Sequence, residues 1–178
     1  MPDSKIRHSL KDRLVRFSLY FFSILIVLQF ITHIPTISEP IVYFTTLITG
    51  TFLKLIYSDV TIKGFHIMST NGIDMEIIYE CTGIYGIIVF TSAIFATWFN
   101  LYEKLKGLLI GIPTIYCANL VRLILLFVIA HENPPSFEYF HTYFWQLFLI
   151  IVVVILFYFW FRSNLAKAAN LSLRKTIH

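Results

Sequence analysis

Three side chains able to do chemistry stand at or inside apolar stretches of this chain, one per stretch. Cys81 precedes the first, within Glu80-Cys81-Thr82-Gly83-Ile84-Tyr85-Gly86. Arg122 is embedded in the second, three residues after Asn119, and His141 opens the third, between Phe140 and Tyr143. A thiol, a guanidinium and an imidazole together make a set for acyl transfer. The thiol is the nucleophile, the guanidinium meets developing negative charge, and the imidazole moves protons near neutral pH. If each stretch is a membrane helix, the three side chains meet in one layer of a helix bundle, and that meeting is the expectation from which the rest follows.

Each residue has a bland reading beside the chemical one. A lone Cys is a common core residue. Cys81, however, leads a Thr-Gly pair at a helix start, where backbone N–H groups and the positive dipole end favour a thiolate. A guanidinium nearby favours it further, and the Thr82 and Gly83 N–H groups are candidates for an oxyanion site. The residues alone leave Cys81 open between packing and catalysis. Cys117 lacks this setting and reads as core, and both thiols are expected free. Arg122 costs about 2.5–3.5 kcal/mol to place mid-bilayer, so it is expected to face the bundle interior with a partner. Asn119 shares its face, and Glu80 or backbone carbonyls are the structural alternatives. His131 competes with His141 for the proton-transfer role, but it sits beside Glu132 in a predicted loop. Cys81, His141 and His66 form no zinc-like spacing, so neither metal nor cofactor is expected.

The elements that must position these groups follow from hydropathy. The chain has 178 residues, 57% hydrophobic and only 13% charged, where soluble domains carry about 25% charged residues. That composition describes an integral membrane protein. The net charge of +4 does not point to nucleic acid, because the basic residues flank apolar runs. Eleven of the fourteen Lys and Arg fall at Lys5 to Arg16, at Lys104 and Lys106, and at Arg162 to Lys175. Basic flanks report topology, and these three should share the cytoplasmic side. An even number of spans satisfies that rule.

The expected fold is therefore an all-α integral membrane protein, a single domain built on a four-helix transmembrane bundle. The spans are predicted at 15–34, 82–100, 108–130 and 141–161, with cytoplasmic segments 1–14 and 162–178. The turn 33–40 lies on the outer side and 101–107 is an inner loop. Segment 41–57 is diluted by Thr45, Thr46, Thr49, Gly50, Thr51 and Lys54, and is predicted to lie on the outer face as an interfacial amphipathic helix. Residues 59–80 alternate polar and apolar around Asn71-Gly72, the strongest short hairpin signal. An extracytoplasmic β-hairpin is predicted there, its second strand running into Cys81.

Taken together, Glu80-Cys81-Thr82-Gly83-Ile84-Tyr85-Gly86, Asn119-Leu120-Val121-Arg122-Leu123 and Phe140-His141-Thr142-Tyr143-Phe144-Trp145-Gln146 resemble the exosortase/archaeosortase family, most of all its exosortase H branch. The resemblance runs from about residue 39 to 161, with Trp145 where many members carry Gly. It implies a membrane cysteine protease or transpeptidase acting on exported proteins. Their C-terminal signals join a short motif, a membrane helix and a basic cluster, the motif containing Ile-Pro-Thr-Leu and Trp-Gly by analogy. It implies that Cys81 attacks the scissile carbonyl to form a thioester, that His141 protonates the leaving amine and activates the acceptor, and that Arg122 holds substrate or oxyanion. Thr82, Gly83, Asn119 and Glu80 would support or bind. The expected location is a bacterial inner membrane, multi-pass, with the site facing outward. Two rival readings stand beside it: a non-enzymatic membrane adaptor or small carrier, and a lipid-type acyltransferase using the same Cys.

Overall fold

Helices α1 (Asp3–Thr32), α4 (Leu101–Glu132) and α5 (Trp145–Thr176) dominate the chain. The computed structural model describes residues 3–132 and 145–176, and the side chains of 12, 14–132 and 147–169. Among the described residues, three segments are long and apolar enough to cross a membrane: Leu14–Thr32, Leu101–Glu132 and Leu147–Ala169. Their outward faces carry Leu19, Phe22, Phe30, Ile110, Ile150 and Val154 in the open. Apolar residues on the outside as well as the inside are what a lipid solvent selects.

The predicted bundle of four spanning helices is corrected by α3 (Ile84–Ala96). It has 13 residues and covers about 20 Å at 1.5 Å per residue, short of a hydrocarbon core of about 30 Å. Hydropathy counted every apolar residue up to Phe99, but the backbone turns extended at Thr97, whose hydroxyl donates to the Ile94 carbonyl (2.7 Å). Trp98 and Phe99 then pack edge-on against Phe161 of α5 instead of continuing the helix. α3 packs against α1, α4 and α5. It meets α4 closely at Gly111, where a Cβ would overlap the Phe90 ring.

α2 (Pro35–Ile56) begins earlier than the predicted interfacial helix and takes in most of the predicted 33–40 turn. Pro35 sits in the first turn of α2, where its missing N–H leaves no helical bond unmade. Val42, Thr45, Thr46, Thr49, Gly50 and Leu53 are buried, while Tyr43, Phe44, Leu47, Phe52 and Leu55 face outward. Two of the three buried Thr hydroxyls are satisfied within the helix: Thr45 and Thr46 donate to the Ile41 and Val42 carbonyls at 2.8 Å. α2 is thus polar inward and apolar outward, which suits lipid contact, although it is not among the three helices of spanning hydropathy.

The predicted hairpin is a three-stranded antiparallel sheet, β1 (Val60–Lys63), β2 (His66–Ser69) and β3 (Asp74–Glu76). The arm of that hairpin before Asn71 is itself two strands, β1 and β2. It divides because Gly64, at φ 59°, turns the chain between Lys63 and His66. The second turn lies at Asn71-Gly72 as the dipeptide foretold, with Gly72 at φ 85°. Val60, Ile67 and Ile77 are buried against Leu53 of α2 and Leu123 and Phe127 of α4. The turn is tied to the end of α4 where Asn71 Nδ2 meets His131 Nε2 (2.9 Å), and the His131 ring stacks on Tyr57 (4.3 Å).

At the far end, the Trp160 indole N–H donates to the Glu103 carbonyl (3.1 Å) and Lys167 pairs with Glu103 (3.2 Å). α4 already begins at Leu101 and α5 runs to Thr176. The loop predicted at 101–107 is therefore replaced by a turn at 97–100, and much of the basic tail extends the last helix.

Candidate functional site

The chain leaves the sheet through Ile77, whose N–H donates to the Phe65 carbonyl (2.8 Å), and enters a 3-10 turn, Tyr79–Thr82. Cys81 lies in that turn, with its N–H on the Ile78 carbonyl (2.9 Å). The Thr82 hydroxyl donates to the Tyr79 carbonyl (2.7 Å) and accepts from the Ile84 N–H (3.4 Å). Gly83 then takes φ 77° and joins the turn to α3. The Tyr79 hydroxyl donates to Thr32 Oγ1 at the end of α1 (2.7 Å). The turn is thus anchored to α1 as well as to the sheet.

α4 supplies the rest. Asn119, fully buried, donates from Nδ2 to the Cys81 carbonyl (2.8 Å) and accepts from Arg122 at Oδ1 (3.2 Å). One amide side chain therefore links the backbone of the Cys81 turn to the guanidinium. Arg122 is 8% exposed, and its Nε has no hydrogen-bond partner among the described residues. Glu80, the sequence-level alternative partner, makes no ion pair with it among those residues. Cys81, Arg122, Glu80 and Gly83 line one cavity of about 520 Å³, whose remaining walls are Ile78 and mostly apolar residues of α3 and α5. A second cavity, of about 600 Å³ between Arg16 and Trp98, contains none of the predicted site residues.

Two of the three expected side chains therefore share a cavity. The third, His141, lies outside the described residues, as do the side chains of Trp145 and Gln146. His131, the competitor, is committed to Asn71 and Tyr57 and does not line the cavity. Both thiols are free, but Cys117 is exposed on the outer face of α4 and not in the core as its apolar surroundings suggested. The role of Asn119 as the link to the Cys81 carbonyl was not legible beforehand. Its three-residue spacing from Arg122 was the available signal, and it revealed only half of the pairing.

The electrostatics of Cys81 differ from the sequence expectation. Burial pushes the thiol above the ordinary cysteine range. The Arg122 guanidinium and a backbone hydrogen bond at Ile78 pull the other way, and Glu80 adds to the rise. The dipole argument loses because Gly83 bends the chain between Cys81 and the first turn of α3, while the thiol itself is shut away from water. A test follows directly. Alkylation of Cys81 by iodoacetamide should rise with pH along a curve displaced above that of a free thiol. Arg122→Gln should displace it further upward, because a charge that stabilises the thiolate is gone. A downward displacement would mean that the guanidinium does not act on the sulfur.

Gly83 gives a second expectation. A Cβ there would lie 2.8 Å from both Cβ and Cγ of Asn119, and a left-handed backbone costs a non-glycine residue about 1–2 kcal/mol. Gly83→Ala should lower the melting temperature and displace Asn119 from the Cys81 carbonyl.

The pattern of the family described as Transmembrane exosortase (Exosortase_EpsH) matches residues 11–158, and the match spans most of the chain. The protein belongs to the transmembrane exosortase family. That family is generally one of cysteine transpeptidases in the membrane, which fits a multi-pass, mostly helical chain with a cysteine beside a buried arginine. No curated protein and no solved structure matches it.

Proposed function

We propose that the protein is a membrane cysteine transpeptidase that cleaves C-terminal sorting signals of exported proteins and passes the acyl group to an acceptor. The observation that supports this most is the shared cavity. Cys81 and Arg122 line it together, and Asn119 couples the two through the Cys81 carbonyl. In this reading the Cys81 thiolate attacks the scissile carbonyl, and the electron pair moves onto the carbonyl oxygen. Arg122 meets that negative charge, and the Thr82 and Gly83 N–H groups are further candidate donors. Collapse of the intermediate expels the amine, which takes a proton from His141. The acceptor, deprotonated by the same imidazole, then attacks the thioester and restores the thiol.

Burial favours the protonated thiol in the resting enzyme. The thiolate would thus form as the substrate seats and His141 takes the proton, in the manner of a paired nucleophile and base. The charge rule orients the molecule. Basic residues at Arg16, Lys104 and Lys167 cluster toward the end away from Cys81, so the site would face outward from a bacterial inner membrane. The substrate's basic cluster would remain on the cytoplasmic side.

The test is to co-express the protein with an exported substrate carrying the motif–helix–basic tail, and to search for a thioester on Cys81 by mass spectrometry. An adduct whose mass equals the substrate's amino-terminal fragment supports the reading. A fatty-acyl adduct would make the protein a lipid-type acyltransferase. Processing that proceeds unchanged without the thiol would make it an adaptor.

A further inference from the structure

The cavity that holds Cys81 is not a bowl open only to the aqueous face. Below the thiol it continues between α3 and α5, bounded by Gly86 and Val89 on one side and by Leu149, Ile150, Val153 and Val154 on the other. Its charged lining residues, Glu80 and Arg122, stand with Cys81 at the head. Among the described residues the lower walls are apolar. The rims are exposed and regularly spaced: Tyr85 and Val89 on α3, Ile150 and Val154 on α5, each pair one helical turn apart. The gap between the rims therefore opens sideways, toward the hydrocarbon. Gly86 keeps its floor low, since a Cβ there would already be 3.2 Å from Ile115 and 3.3 Å from Val153.

We infer that this cleft is a lateral entrance through which the substrate's own membrane segment reaches the thiol. The inference rests on the transpeptidase reading and deepens it by assigning where the apolar part of the substrate seats. Dimensions set what enters. From Gly83 to Val89 the cleft runs about 9 Å at 1.5 Å per residue, whereas a spanning helix is about 30 Å long. A volume of about 520 Å³ takes the first turn or so of that segment and leaves the remainder in lipid. A charged or hydrated chain would find no partner along these walls and would lose its water. An apolar one exchanges lipid contacts for close packing. The bond to be cut, which precedes the apolar segment, is thereby delivered to the level of Cys81 and Arg122 from the bilayer side.

The experiment is site-specific photocrosslinking in membranes, with benzoylphenylalanine placed singly at Val89, Val154 or Val121 in the Cys81→Ala enzyme, so that substrate accumulates uncut. Val121 is the control, since it is exposed on α4 beside Arg122 and is no part of the cleft. Adducts to the substrate's membrane segment at Val89 and Val154 but not at Val121 are expected. In the Cys81-containing enzyme, Val154→Trp should slow processing at least tenfold at normal membrane levels, while Val121→Trp should not. Equal adducts at all three sites, lipid adducts alone, or an unaffected Val154→Trp enzyme would overturn the lateral entrance. Those results would leave the role of Cys81 standing, provided Cys81→Ala still abolishes cleavage. Cleavage by the Cys81→Ala enzyme would instead sink the transpeptidase reading, and this inference with it.

Discussion

Cys81→Ala should abolish processing of a co-expressed substrate, with a fall of about 10³-fold or more, while the protein remains in the membrane at its usual level. Removing a nucleophile eliminates the covalent path and leaves only binding and oxyanion contacts. The structural cost is small by comparison. Cys81 packs in the cluster of Ile77, Leu123 and Phe127, and losing one buried sulfur is comparable to losing a methylene, about 1 kcal/mol. A fold stable by about 5–15 kcal/mol survives that. Cys81→Ser sharpens the experiment because it keeps a polar atom of similar size in the same pocket. The hydroxyl does not ionise near neutral pH, so this variant should be nearly as inactive. Processing measured by the mobility of the substrate on a gel, normalised to enzyme in the membrane fraction, decides it. Activity retained in both variants would remove sulfur from the chemistry.

Asn119→Leu is expected to have the second largest effect, and it should act on stability and activity together. The side chain is fully buried and spends its donor on the Cys81 carbonyl and its acceptor on Arg122. Leu has the same branching and neither function. A neutral hydrogen bond is worth about 0.5–1.5 kcal/mol and one to a charged group about 1.5–3 kcal/mol. The loss should therefore be about 2–4 kcal/mol, and more if the guanidinium is left without any partner. Activity should fall about a hundredfold, since the Cys81 turn is released and small displacements of a nucleophile are costly. Asn119→Asp separates the two contacts. It preserves an acceptor for Arg122 and loses the donor to Cys81, so it should keep more stability than Asn119→Leu yet recover little activity. Melting followed in detergent, together with the processing assay, distinguishes the cases. Full activity in Asn119→Leu would show that the link between α4 and the Cys81 turn is incidental.

Much of this architecture was readable before any coordinates, and for identifiable reasons. Membrane character follows from composition. The spans predicted at 15–34 and 108–130, which overlap the helical segments 14–32 and 101–132, follow from long apolar runs, because lipid imposes a minimum length on a helix whose backbone must satisfy itself. The turn at Asn71-Gly72 follows from local chemistry alone. Arg122 stood out because its burial is expensive wherever it occurs, and the structure directs it inward to an amide.

Other features had no local signature. The split of 60–68 into two strands depended on one glycine adopting a positive φ, and the shortness of α3 on where Trp98 and Phe99 found aromatic partners in α5. The inward face of α2 is lined with threonines that hydropathy scores as polar, yet the Thr45 and Thr46 hydroxyls return to their own helix. The net direction of the Cys81 thiol likewise required the surrounding walls, because burial and a nearby cation push in opposite senses and only the packed distances weigh them.

By itself, then, the order of residues determined the solvent, the approximate spans, and which side chains were costly enough to require a purpose, since those depend on composition and on spacing along one helix. Only the tertiary structure decided that Asn119 joins Arg122 to the Cys81 turn and that the thiol heads a cleft between α3 and α5. Those contacts join segments dozens of residues apart, and no periodicity within a single element encodes the distance between two of them.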